Sequence, residues 1–162
     1  MSNELNRDEF RYEELFQAFM AVVTDLLALV AAMFTRVFVH GGLDVATTTT
    51  KFKTSGTTNY MIDGVHYAKA ATDNIATPNG NTIVGEYRKD LITLDAAGSF
   101  TVTAGTVAAS QAAANLPNTP AGGCPIGHIE VPASFTAGTD SVTAGMLKAV
   151  TEGVTLGTTI GS

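Results

Sequence analysis

FRYEELFQAFMAVVTDLLALVAAMFTRVFVHGG, residues 10–42, is the stretch from which the fold is read. Tyr12, Leu15, Phe19, Val22, Leu26, Leu29, Met33 and Arg36 alternate in steps of three and four, a heptad register broken only by the final charge. Phe16, Met20, Val23, Leu27, Val30, Phe34 and Val37 repeat the alternation one position further round. One such seam suits a two-stranded coil, whereas two adjacent seams form an apolar face too wide for a single partner. The remaining face, Gln17, Ala21, Thr24, Ala28, Ala31 and Thr35, is small rather than charged, and Asp25 is the only charge between Glu14 and Arg36. The pattern predicts a long apolar helix within residues 1–40, joined at Gly41 and Gly42 to a β domain over 41–162.

Three occupants compete for the apolar face. Phe16 to Thr35 is long enough to cross a bilayer at about 1.5 Å per residue. Against a membrane span stand Asp25 near its midpoint, which costs roughly 2.5–3.5 kcal/mol on insertion scales, and flanks without a basic or aromatic belt. A secretory signal is disfavoured by Glu4, Asp8 and Glu9 in the leading residues and by the lack of a small-residue cleavage site. The preferred reading is a helix buried in an oligomer or on a large partner. Its expected interface comprises Leu15, Phe16, Phe19, Val22, Val23, Leu26, Leu27, Leu29, Val30, Met33, Phe34 and Val37.

Beyond Gly42 the period changes from helical to strand-like. Val45 to Lys53, dominated by β-branched Thr, predicts a first strand. Asn59 to Asp63 and Val65 to Lys69 flank an Asp-Gly pair, a strong hairpin signal. Thr82 to Tyr87 predicts a strand after the Pro78-Asn79-Gly80 turn, and Asp90 to Asp95 with Ser99 to Thr103 predict a hairpin around Ala96-Ala97-Gly98. Ala108 to Asn115, with Ser110 as a cap, reads as a short helix or ordered loop. Pro125 to Val131 is the next strand, and Met146 to Val150 a further strand or short helix. The fold class expected is mainly β: an N-terminal long apolar α-helix followed by a β-sandwich or small β-barrel-like domain.

Composition narrows function by exclusion. At 162 residues and 45% hydrophobic, the chain supports one modest domain and an appendage. A net charge of −6 with dispersed basic residues argues against nucleic acid as a partner. Cys124 has no second cysteine to pair with and reads as a small buried apolar residue. His40, His66 and His128 lie far apart in sequence without metal-ligand spacing, so no metal site and no cofactor are expected. Asp63, Asp73, Asp90, Asp95 and Asp140 sit beside turn residues, where Asp bonds its own backbone. Lys51 and Lys53 share one face of the Thr-rich segment, as protection of a sheet edge. With no nucleophile motif and no phosphate loop, no catalytic residue is assigned.

Tyr60-Met61-Ile62-Asp63-Gly64-Val65-His66-Tyr67-Ala68-Lys69-Ala70, Leu91-Ile92-Thr93-Leu94-Asp95-Ala96-Ala97-Gly98, Cys124-Pro125-Ile126-Gly127-His128-Ile129-Glu130-Val131 and Phe135-Thr136-Ala137-Gly138-Thr139 resemble the sequence style of small virion proteins of tailed bacteriophages. These are capsid decoration, cement or head-fibre proteins. The resemblance covers roughly residues 41–145, and the apolar N-terminal helix does not map onto it. It implies a β domain, commonly trimeric, on a capsid or tail surface, and carries over no active-site residues. The expected function is a non-enzymatic virion structural protein that forms a homo-oligomer, a trimer by preference, through its helix. Its other expected partner is the major capsid protein or another virion protein. The alternative is a membrane-anchored surface protein with an external β domain.

Overall fold

The computed structural model describes residues 2–150, with side chains for 11–27 and 34–150. It is mainly β with one N-terminal helix. Helix α1 (Ser2–Met33) is followed by β1 (Arg36–Val39), β2 (Leu43–Val45), β3 (Phe52–Thr54), β4 (Thr58–Ile62) and β5 (Val65–Lys69). Then come β6 (Arg88–Leu94), β7 (Phe100–Thr103), β8 (Cys124–Val131), a 3-10 turn (Ala144–Met146) and β9 (Leu147–Ala149). The strands form antiparallel sheets in the orders β1-β4-β5, β2-β3 and β7-β6-β8-β9.

The change of period falls at Phe34–Thr35, six residues before the Gly pair. Arg36, Val37 and Val39 pair with Met61, Tyr60 and Asn59 of β4, so the chain is already strand where the heptad pattern still read as helix. Val37 is consequently no part of a helical stripe: it is 5% exposed and packs in the core with Tyr60 and Ile62. Its β-branched side chain between Arg36 and Phe38 suits a pleated strand better than a helix end. The Gly pair instead serves close packing inside the β domain. The Gly41 carbonyl accepts the Gly56 N–H at 2.6 Å, and a Cβ on Gly41 would fall 2.2 Å from the Gly56 oxygen.

The two predicted hairpins form where expected. Asp63 (φ 49°) and Gly64 (φ 82°) both take the left-handed backbone that a two-residue type I′ turn requires, and β4 and β5 pair from Ile62↔Val65 to Thr58↔Lys69. Between β6 and β7 the Asp95 carboxylate accepts the N–H groups of Ala97 and Ser99 at 2.9 and 2.8 Å. The strand from Cys124 and the one after Met146 are also present, as β8 and β9.

The Thr-rich strand does not form. Thr47–Thr50 is the turn between β2 and β3, its N–H groups at Thr47 and Thr48 donated to the side chains of Asp73 and Asn74. Thr at every position offers no apolar alternation, so only the flanks, Ala46 and Phe52, reach the interior. Thr82–Tyr87 is not a strand either. Gly85 (φ 78°) closes a turn in which the Glu86 N–H donates to the Ile83 carbonyl, and Ile83 and Val84 face solvent. Ala108–Asn115 is an ordered loop, with the Ser110 hydroxyl accepting the Ala113 N–H.

Core side chains come from all three sheets, the β2-β3 pair contributing Phe52. Val37, Tyr60 and Ile62 of the first meet Ile92, Leu94, Cys124, Ile126, Ile129 and Val131 of the four-stranded sheet. Residues 104–123 run on from β7 along β6, bridging Tyr87 at Ala108 and donating from the Gln111 amide to the Arg88 carbonyl, and Leu91 and Ala114 are buried. They come so close that a Cβ on Gly105 would lie 2.2 Å from the Lys89 carbonyl oxygen.

Candidate assembly surface

A 32-residue helix at about 1.5 Å per residue is roughly 48 Å long. Of its described side chains, residues 11–27, all are exposed except Val23, which is half-buried. Tyr12, Leu15, Phe16, Phe19, Met20, Val22, Leu26 and Leu27 are between 42% and 73% exposed. At about 100° per residue these large apolar side chains, with Val23, fill an arc of roughly 160°. Arg11, Glu13, Glu14, Gln17, Ala18, Ala21, Thr24 and Asp25 fill the rest. The Thr24 hydroxyl donates to the Met20 carbonyl at 2.8 Å, the back-bond that lets Thr sit within a helix without an outside partner.

The predicted interface residues are thus brought together in part. Leu15, Phe16, Phe19, Val22, Leu26 and Leu27 lie on one exposed stripe, with Val23 among them. Phe34 continues it at the helix exit, 46% exposed. Leu29, Val30 and Met33 belong to α1, but their side chains lie outside the described residues. Val37 is removed from the set by its place in the core. Burying each large side chain contributes about 1.5–3 kcal/mol, so the stripe offers on the order of 10 kcal/mol before ordering entropy is subtracted.

A second apolar group was not evident as surface in the sequence. Ile83 and Val84, 66% and 86% exposed, sit on the Gly85 turn, and Val107 is exposed beside the Tyr87–Ala108 bridge. Gly85 with the following Glu86 was the available signal, because a strand does not run through a Gly held at positive φ. The turn is fixed by the Thr82 hydroxyl, which donates to the Pro132 carbonyl and accepts the Phe135 N–H.

Ionisable groups inside the β domain are engaged in structure. Asp90, fully buried, accepts from Arg88 Nε at 2.6 Å and Nη2 at 3.1 Å, and from the Asn79 N–H at 2.8 Å. Arg88 Nη2 also donates to the Gly80 carbonyl at 2.9 Å. Burial pushes the Cys124 thiol up to about 12, leaving it protonated and a poor nucleophile. His128 is held below its ordinary value, chiefly by burial, while Glu130 at 3.9 Å pulls the other way. Burial, then the charge of Asp95, raises Tyr60, whose hydroxyl donates to the Asp95 carbonyl at 2.7 Å. His40 uses both ring nitrogens on backbone, Nδ1 accepting the Gly42 N–H and Nε2 facing the Ile126 carbonyl.

Among the described residues no group of three or more His, Cys, Asp and Glu side chains is placed to hold a metal ion, and no helix is long and apolar enough to cross a membrane. The arrangement can supply binding energy along α1; the polar network of the β domain supplies rigidity. Comparison with protein-family models, curated proteins and solved structures finds no match to this chain.

Proposed function

We propose that this protein is a non-enzymatic structural protein of a bacteriophage particle, of the capsid decoration, cement or head-fibre kind. It assembles as a homotrimer through α1 and presents its β domain, packed as a sandwich around the Val37–Ile126 core, on the capsid or tail surface. The observation that carries the assembly is the exposed apolar arc of α1, from Leu15 to Leu27, on a helix whose described length has only Val23 half-buried. An arc of about 160° exceeds the seam of a two-stranded coil and fits two neighbours, as in a three-helix bundle. The virion location rests on the sequence resemblance of residues 41–145.

The helix is amphipathic, and that favours protein over lipid as the occupant of the stripe. A segment surrounded by hydrocarbon is apolar on all sides, whereas Gln17, Thr24 and Asp25 share the face opposite Phe19. Light scattering of the full chain in detergent-free buffer is expected to give three times the chain mass. Leu26→Asp, which places a charge in the middle of the stripe, is expected to give the monomer with the β-domain circular dichroism intact. Native oligomeric mass in that variant refutes assembly through the helix, and a full chain soluble only in detergent assigns the stripe to a membrane. Quantitative mass spectrometry of purified particles tests the virion location: its absence from them overturns that part.

A further inference from the structure

The interface on α1 does not stop at the end of the helix. Two residues, Phe34 and Thr35, separate Met33 from the first residue of β1, and the Asp63 N–H donates to the Thr35 hydroxyl, tying the junction to the β4–β5 turn. Three Cα steps span at most about 11 Å. Helices packed side by side lie about 8–10 Å apart. In a parallel bundle the first strands of neighbouring copies therefore begin within about 30 Å of one another, less than the roughly 34 Å diameter of a sphere with the radius of gyration of a 115-residue domain.

The surface that the chain enters first is the outer face of the β1-β4-β5 sheet. Thr58, Tyr60 and Ile62 alternate inward along β4, so Asn59 and Met61 point outward, and their β5 partners Ala68 and His66 lie beside them. In β1 the register shift between Val37 and Val39 inserts Phe38 and turns Val39 outward opposite Asn59. Val39 is 48% exposed for this reason. The Arg36 guanidinium stands 4.8 Å from the centre of the Phe38 ring, which lies 6.2 Å from that of His66. Together with Phe34, 46% exposed, Val39 on this face extends the apolar surface of α1 without a break in the chain. The other exposed apolar group, Ile83 and Val84, is held against Pro132 and Ser134, past the far end of β8 from Cys124. Cys124 in turn lies by Met61, on the junction side.

We infer that a second copy of this chain covers the outer face of β1-β4-β5, so that assembly joins β domain to β domain around Val39, Met61 and His66 and requires parallel helices. This rests on the helix-assembly reading above. The occupant is a second copy because the short junction brings an identical sheet within one domain width and because the face continues the self-associating stripe.

Thiol labelling of the full chain tests it, since native Cys124 is buried and does not compete. Val39→Cys and His66→Cys are expected to react with a maleimide at least about tenfold more slowly in the assembled protein than in the same variants carrying Leu26→Asp. Val84→Cys, at the far end, is expected to react equally fast in both. Equal rates at positions 39 and 66, with Leu26→Asp monomeric, overturn this inference and leave the helix reading intact. A Leu26→Asp protein of native mass overturns both. His66 is already exposed, so its variant reports even where Val39→Cys disturbs the sheet.

Discussion

Arg88 and Asp90 show how much of the β domain depends on two side chains. They stand at i and i+2 of β6, hence on the same face, and their bidentate contact is closed to solvent. Asp90 also takes the N–H of Asn79, and Arg88 the carbonyl of Gly80, so this pair fastens the Pro78–Gly80 turn to the sheet. Removing one member of a buried pair leaves the other charge uncompensated, which typically costs about 3–5 kcal/mol. Asp90→Ala is expected to lose that much in a urea titration; a loss below about 1 kcal/mol would show that the network does not hold the loop. The sequence placed Asp90 as a turn-side carboxylate at the start of a strand, without its partner. The Arg-x-Asp spacing pointed to the pair only once the strand was known to begin at Arg88, two residues before the strand read from the sequence. Cys124 was legible as buried because thiols in apolar surroundings need no partner, whereas the link between Asp90 and Asn79, eleven residues apart, is a product of folding.

At the scale of elements, legibility followed locality. The β4–β5 hairpin is specified by Asp63-Gly64 and by the apolar alternation on either side, all within ten residues, and it formed as read. The Thr run failed because β propensity reflects packing against a sheet, and Thr47 to Thr50 have none to pack against. The helix end was misplaced because Val37 continues the heptad count by coincidence, while its partner Tyr60 lies in a strand 23 residues later. Glycines test this distinction between local and distant constraints. Gly64 has a positive φ and nothing within 4 Å of a Cβ, so Gly64→Ala carries only the left-handed backbone penalty, about 1–2 kcal/mol. Gly105→Ala would drive a Cβ against the Lys89 carbonyl and must displace the 104–123 segment from β6. Denaturation midpoints are expected to fall further for Gly105→Ala than for Gly64→Ala; the reverse order would mean that the segment yields easily.

At the scale of the molecule, a compact β domain whose buried side-chain polar atoms, among the described residues, all have partners is joined to a helix whose described stretch exposes the large apolar side chains that elsewhere form a core. The heptad spacing predicted that stripe because its period is written in consecutive residues; what covers the stripe is not written in that period. Helices draw most of their stability from packing an amphipathic face, so α1 and the β domain need not respond alike to dissociation. If α1 assembles as proposed, the helical ellipticity at 222 nm is expected to fall with the mass on dilution, because each copy would lose its contacts along Leu15 to Leu27. The near-ultraviolet signal of Tyr60 and Tyr67, stacked at 5.6 Å in the β domain, is expected to persist, since their contacts are within one chain. Stabilisation by self-association depends on concentration, so the helical transition should move to higher temperature as protein is added. Helicity that survives unchanged in the monomer would mean that α1 is stable by itself and that its apolar arc is not what holds it in shape.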